Sequence, residues 1–200
     1  MALSTYAELQ ASIADHLNRT DLTSVIPDFI LMTEKEMERR LRVSEMLTSA
    51  DITPSSGLAA IPATLVEIQK VVLKSNPRRV LEQVSTAYAD EADPFRAGAK
   101  GVVYSVEGSN LRITPSDGTQ IELTYYRTIP DLATNSTNWL LTKQPGAYLY
   151  GSLARAAPYL GDDQRLGLWA KLFEDELRAL ERSDAMRRYG QINRIPRQVV

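Results

Sequence analysis

The sequence predicts an α+β fold: a helical bundle of about four helices, two from each end of the chain, with an inserted antiparallel β-sheet region and an extended C-terminal arm. Three observations predict it. Apolar residues recur at helical spacing near both ends. From about Leu47 to Ile129 they fall instead into short strand-like runs divided by turn dipeptides. The last stretch has no period at all. The predicted divisions are residues 1–45 with 138–188 for the bundle, 46–137 for the β-rich insertion and 189–200 for the arm.

Ser4-Thr5-Tyr6-Ala7-Glu8 opens the first helix, with Ser4 as the expected cap and Glu8 bringing negative charge to the first turn. Tyr6, Leu9, Ile13 and Leu17 share one stripe, and Asn18 ends it. Asp21 to Ser24 reads as a turn or a single helical turn. The second helix runs to about Arg42, with Pro27 tolerated in its first turn. Ile26, Phe29, Ile30, Met37 and Leu41 make its apolar stripe. Glu34, Glu36 and Glu38, with Arg39, Arg40 and Arg42, are expected on a solvated face.

The insertion is expected to be an antiparallel meander. Its turns fall at Pro54–Gly57, Ser75–Pro77, Gly108–Asn110 and Ser116–Gly118. Ile121, Leu123 and Tyr125 should face one side of their strand and Glu122, Thr124 and Tyr126 the other. Ser85 to Ala92 suits a small helix, and Asp93 to Gly101 an exposed loop.

Helical periodicity returns at Gln144 or Pro145, with Leu149, Leu153, Ala157 and Leu160 on one stripe, Pro158 bending the end and Gly161 stopping it. Small residues crowd this helix: Gly146, Ala147, Gly151 and Ala154 let another backbone come close, either within the bundle or between subunits. Asp162-Asp163 start the last helix, whose stripe is Leu166, Trp169, Leu172, Phe173, Leu177 and Leu180. Running to about Arg188, it would be about 40 Å long at about 1.5 Å per residue. The stripes predict that Leu153, Trp169, Leu172, Phe173 and Leu177 are buried with Leu9, Ile13, Ile30 and Met37.

From Arg187 onward the chain holds four arginines and no acid. Arg187, Arg188, Arg194 and Arg197 are interleaved with Tyr189, Ile192, Ile195 and Val200. A purely solvated tail has no need of such apolar residues, so the segment reads as a docking arm. Extended, its last twelve residues, 189–200, reach up to about 40 Å.

Composition narrows the function. The chain has 200 residues, a net charge of −2, 44% hydrophobic residues and no cysteine. Disulfides and thiolate chemistry are excluded, the apolar runs are too short for a membrane span, and general nucleic-acid binders are basic. The only histidine, His16, lacks the further His or Cys that a metal site needs. Asp162-Asp163 suit a helix start, and Glu174, Asp175 and Glu176 fan around their helix instead of converging. Tyr125, Tyr126 and Trp139 read as packing residues. Nucleotide-loop and hydrolase motifs are absent. No cofactor, metal or catalytic residue is predicted.

Four pieces in order, DLTSVIPDFI, ELTYYRTIP, TNWLL and AYLYGSLARAAPYLGDD, resemble the adaptor proteins of tailed phages, also called tail tubular protein A or head-to-tail connectors. The resemblance spans nearly the whole chain and rests on order and spacing. It implies a structural virion protein of the neck or tail, made in the host cytoplasm. It also implies a homo-oligomeric ring, expected to be a dodecamer, beneath the portal protein. The arm would dock on the portal. The tail nozzle, and possible tail fibres, would meet the loops at Pro54–Gly57 and Asp93–Gly101, and DNA would pass through the lumen without specific binding. The alternative is a DNA-binding accessory protein that uses the basic arm.

Overall fold

The computed structural model describes residues 3–19, 21–91, 102–114, 118–161 and 165–189. Two compact units emerge, Met1–Glu45 with Ile129–Val200, and Met46–Thr128. The chain opens with α1 (Tyr6–Leu17), α2 (Ile26–Arg40) and a 3-10 turn (Ser44–Met46). Strands β1 (Leu47–Ile52), β2 (Leu58–Ala60), β3 (Leu65–Leu73), β4 (Arg79–Val80) and β5 (Glu82–Gln83) precede the short α3 (Thr86–Glu91). Then come β6 (Val103–Glu107), β7 (Asn110–Thr114) and β8 (Ile121–Arg127). The chain returns to helix in α4 (Trp139–Lys143), α5 (Pro145–Arg155), α6 (Ala157–Leu160) and α7 (Arg165–Tyr189). The α+β class follows directly.

In the helical unit, α1 starts in a capping box: the Thr5 hydroxyl accepts from the Glu8 N–H at 3.3 Å, and the Glu8 carboxylate accepts from the Thr5 N–H at 3.1 Å. The cap is therefore Thr5 and not Ser4. Thr5 has the extended backbone, φ −129° and ψ 159°, that a cap requires, while Ser4 donates through its N–H and hydroxyl to Glu8. Asn18 closes the helix at φ 51°.

Helix α2 buries Ile26, Phe29, Ile30 and Met37. It ends at Arg40, two residues before the expected Arg42, because Leu41 turns extended. Glu34 departs from expectation: it is only 4% exposed. It lies four residues after Ile30 and three before Met37, on the stripe that faces the core.

Helix α5 packs against α1, α2 and α7. A separate short helix, α4, precedes it because the Asn138 side chain accepts from the Leu141 N–H at 2.8 Å and caps a fresh start. The stripe of α5 holds through Leu149 and Leu153, both buried, but Ala157 and Leu160 are only half-buried. The helix breaks at Ala156, and Pro158 sits in the first turn of α6 instead of bending one continuous helix. In α7, Trp169, Phe173, Leu177 and Leu180 are buried. Leu172, expected among them, is half-buried, because it stands about 100° round the helix from Phe173.

The β unit is not a meander. Its strands form two four-stranded sheets, β1-β8-β3-β4 and β2-β7-β6-β5. All pairs are antiparallel except β5 with β6, which is parallel. The last strand, β8, inserts between β1 and β3, and β7 returns to β2. Two sheets allow apolar faces to meet, which one flat meander would leave open to water. Val71, Leu73, Ile121, Leu123 and Tyr125 of one sheet share a core with Ala59, Tyr104, Leu111 and Ile113 of the other. Gly108, at φ 60°, makes the turn of the β6–β7 hairpin. Along β8, Ile121, Leu123 and Tyr125 are buried and Glu122 and Thr124 half-exposed, as the alternation predicts. Tyr126 breaks it and is buried as well. The small helix expected near Ser85 is α3. The loop expected from Asp93 to Gly101 lies outside the described residues.

Candidate interaction site

Three clusters in the helical unit hold the functional candidates. The first is α5. An added Cβ at Gly151 would lie 2.4 Å from Thr33 Cγ2 and 2.9 Å from Phe173 Cε2, so the glycine lets α2 and α7 close on the same point of α5. At Gly146 the nearest atom is the Glu176 carboxylate, 2.7 Å away. Ala147 is fully buried, and Ala154 half-buried.

The second cluster is the end of α7. Asp184 is buried four residues after Leu180, on the same stripe. Its Oδ1 accepts from the Ser44 N–H at 3.0 Å, from the Ser44 hydroxyl and from Arg187 at 3.0 Å, and its Oδ2 pairs with Arg188 Nε at 2.7 Å. Burial raises the Asp184 carboxyl, but the Ser44 and Arg187 hydrogen bonds and the Arg188 charge outweigh it and hold it below the usual range. Arg187 also pairs with Glu45 at 2.7 Å, and Glu45 with Lys143. Arg188 donates to the Arg42 carbonyl at 2.9 Å. Both arginines predicted to begin the arm thus bind carboxylates and a carbonyl of their own unit. Tyr189 is the last residue of α7. Ile192, Arg194, Ile195, Arg197 and Val200 lie outside the described residues, as do Asp162 and Asp163.

The third cluster centres on Glu34. Its Oε1 accepts from the Leu132 N–H at 3.0 Å and from the Tyr148 hydroxyl at 3.2 Å. Asn138 donates to the Tyr148 oxygen at 2.7 Å and to the Pro130 carbonyl at 2.8 Å. This ties the segment after β8 to α2 and α5. Burial pushes the Glu34 carboxyl above the usual range, against the two hydrogen bonds that lower it. Burial and the nearby Glu34 charge push the Tyr148 phenol up. Beside Glu34 is a recess of about 240 Å³, lined by Tyr6, Pro27, Asp28, Ile30 and Leu31 among others. Burial raises the Tyr6 phenol; a hydrogen bond with Gln10 lowers it, and the charges of Glu34 and Asp28 add to the rise.

Other candidates disperse. His16 is exposed, with Nδ1 2.8 Å from the Ser12 carbonyl. Glu174 makes a bidentate pair with Arg40, Glu176 accepts from Gln144, and Asp175 is exposed. Tyr125 and Tyr126 are buried and Trp139 half-buried. Among the described residues no group of three or more His, Cys, Asp or Glu side chains could hold a metal ion, and no helix is long and apolar enough to cross a membrane.

Sequence reading missed Glu34, Ser44, Glu45 and Asp184. Glu34 and Asp184 were visible as acids on apolar stripes. Ser44 and Glu45 gave no signal, because their partners lie about 100 residues or more away in sequence.

In all three clusters the charge pairs, buried hydrogen bonds and tight packing hold the helical unit itself together. A family model, the SU10 adaptor protein, matches residues 4–196. The chain therefore belongs to the SU10 adaptor protein family, a family of phage head-to-tail adaptors. It is a structural, virion-associated protein whose family interacts with other virion components such as the portal and tail. No curated protein matches the chain.

Proposed function

We propose that this protein is the head-to-tail adaptor that forms a dodecameric ring between the portal and the tail nozzle, with DNA passing through its lumen. Membership of the SU10 adaptor family over residues 4–196 carries this reading. In it, α1, α2, α5 and α7 are the four-helix core of each subunit, and the loops of the β insertion meet the nozzle. A net charge of −2 lets DNA slide, since adhesion to phosphates grows with each basic contact.

The portal-docking element is the segment from Arg187 to Val200. Arg187 and Arg188, held by Asp184 and Glu45, fix its root. Arg194 and Arg197 meet portal carboxylates, and Ile192, Ile195 and Val200 fill apolar grooves. Each exposed ion pair is worth about 0–1 kcal/mol, so attachment depends on repetition around the ring.

Electron microscopy of the protein mixed with its portal tests the ring. A twelve-fold ring on the portal supports it; salt-dependent binding of duplex DNA with no portal complex favours the accessory-protein reading instead. Deleting residues 190–200 is expected to leave the unfolding transition unchanged and to abolish attachment. Undiminished attachment would move the docking surface to the helical unit.

A further inference from the structure

A closed ring of identical subunits joined head to tail needs two different surfaces on each copy, each complementary to the other. The helical unit carries two such surfaces, of opposite charge.

The first is the recess at the start of α2. Its walls are Pro27, Ile30 and Leu31, and its acids are Asp28 and the buried Glu34, with the Tyr6 phenol beside them. Leu31 and its neighbour Met32 are 47% and 54% exposed, so that two adjacent large apolar side chains stand open to water beside the recess. Asp28 is exposed and makes no ion pair among the described residues. The site is concave, apolar-walled and acidic, and it suits a long basic side chain whose methylenes lie on Leu31 while its charge meets Asp28.

The second is the outer face of α7. Leu168, Lys171, Asp175, Arg178, Arg182 and Met186 succeed one another at three- and four-residue steps, and all are exposed. Leu168 and Met186 are 54% and 62% exposed. Lys171, Arg178 and Arg182 have no carboxylate within ion-pair distance among the described residues, although the Arg178 charge helps lower the Glu174 carboxyl. The other described cations of α7 are engaged: Arg165 stacks on Trp169, and Arg187 and Arg188 are held by Asp184. The stripe is therefore a run of three cations without an ion-pair partner and one acid, bounded by two apolar side chains about 27 Å apart along the helix.

We propose that, in the ring, the outer face of α7 from one copy seats on the α2 recess of the next, with Arg178 or Arg182 entering beside Asp28 and Leu31. This rests on the ring reading and names its subunit interface. A second copy is the occupant because both complementary surfaces are present on every chain; an attachment to the portal alone would call for only one of them. Opposite charge fixes the register and polarity of the contact, while Leu31, Met32, Leu168 and Met186 supply apolar area.

Because the chain has no cysteine, engineered pairs report the contact without background. Two full-length double variants are made, Leu31→Cys with Arg178→Cys and Met32→Cys with Arg182→Cys, and oxidised in the presence of portal. In parallel, Asp28→Lys, the pair Arg178→Glu/Arg182→Glu and the combination of all three are assembled on portal and imaged. The expected result is a disulfide ladder extending beyond the dimer for at least one cysteine pair, loss of rings for each charge reversal alone, and recovery of rings in the combination. Wild-type rings on portal, with no disulfide multimers and unimpaired charge-reversed variants, would overturn the interface while leaving the ring. A disulfide product that stops at the dimer would show a two-fold contact and overturn the head-to-tail arrangement. Failure of the wild type itself to form rings on portal would remove the ring reading, and this interface with it.

Discussion

Replacing Gly151 by alanine tests whether α5 is the point on which the helical unit closes. The new methyl would lie 2.4 Å from Thr33 Cγ2 and 2.9 to 3.0 Å from the Phe173 ring. Neither neighbour yields cheaply. Thr33 is fully buried, its hydroxyl donates to the Phe29 carbonyl at 2.8 Å, and a β-branched side chain in a helix has few rotamers. Phe173 is only 4% exposed. Overpacking of this kind costs about 1–3 kcal/mol, and two immobile neighbours place it near the upper end. Alanine regains about 1 kcal/mol of helix propensity. The net expectation is a loss of about 2 kcal/mol, read by urea unfolding followed through helical circular dichroism. Gly146→Ala is the control. Its methyl meets only the end of the flexible Glu176 side chain, at 2.7 Å, so the change is expected to stay within about 1 kcal/mol of wild type. Adding Thr33→Ser removes the nearest methyl and should recover part of the loss. If Gly151→Ala is as stable as wild type, or Thr33→Ser recovers nothing, the close-packing argument fails.

Phe173→Ala should cost about 3–5 kcal/mol in the same assay, because the ring is buried between α5 and α7. Glu34 should impose a pH dependence: its folded pKa lies above the ordinary 4.5, so its contribution is fully present below that value and lost as pH rises through the folded pKa. Glu34→Gln should flatten that component above about pH 4.5, measured as the unfolding midpoint against pH; an unchanged profile would refute it. Asp184 has the opposite sign. Its folded pKa lies below the ordinary 3.8, so its contribution is present above that value and lost as pH falls through the folded pKa. Asp184→Asn should cost about 1–2 kcal/mol at neutral pH, the lower part of the charged hydrogen-bond range because Arg187 is half-exposed, and far less in acid.

Periodicity made the helices legible because α1, α2, α5 and α7 each bury one stripe, and a stripe shows in sequence whatever it packs against. Periodicity does not carry polarity: Glu34 stands on such a stripe yet reads as solvated because acids usually are, and Asp184, on the stripe of α7, drew no reading at all. Their burial depends on Tyr148, Leu132, Ser44 and Arg188, which sequence distance conceals. The strands were legible for the same reason as the helices, but their pairing was not. Nothing in the alternation of Ile121, Leu123 and Tyr125 says that β8 lies between β1 and β3, since a strand with one apolar face fits beside any other. Of the site, the small residues of α5 announced close approach, whereas the choice of Thr33 and Phe173 as neighbours is a tertiary fact. The arm was legible only as composition.

The helical unit takes its chain from both sides of the β insertion, and this orders events during translation. The insertion is one uninterrupted stretch, Met46–Thr128, and all its strands have been made before α5 or α7 exists. Domains fold as units as they leave the ribosome, ordinarily the N-terminal one first. Here that order is inverted: α1 and α2 emerge first but must wait, with Leu9, Ile13, Phe29 and Ile30 uncovered, until Leu153, Phe173 and Leu177 arrive. A chain that stops before α7 lacks Phe173 and Leu177 and leaves part of that apolar surface uncovered. The last helix made is thus the one that completes the helical unit, and only a chain that reaches α7 can cover the apolar side chains of α1 and α2.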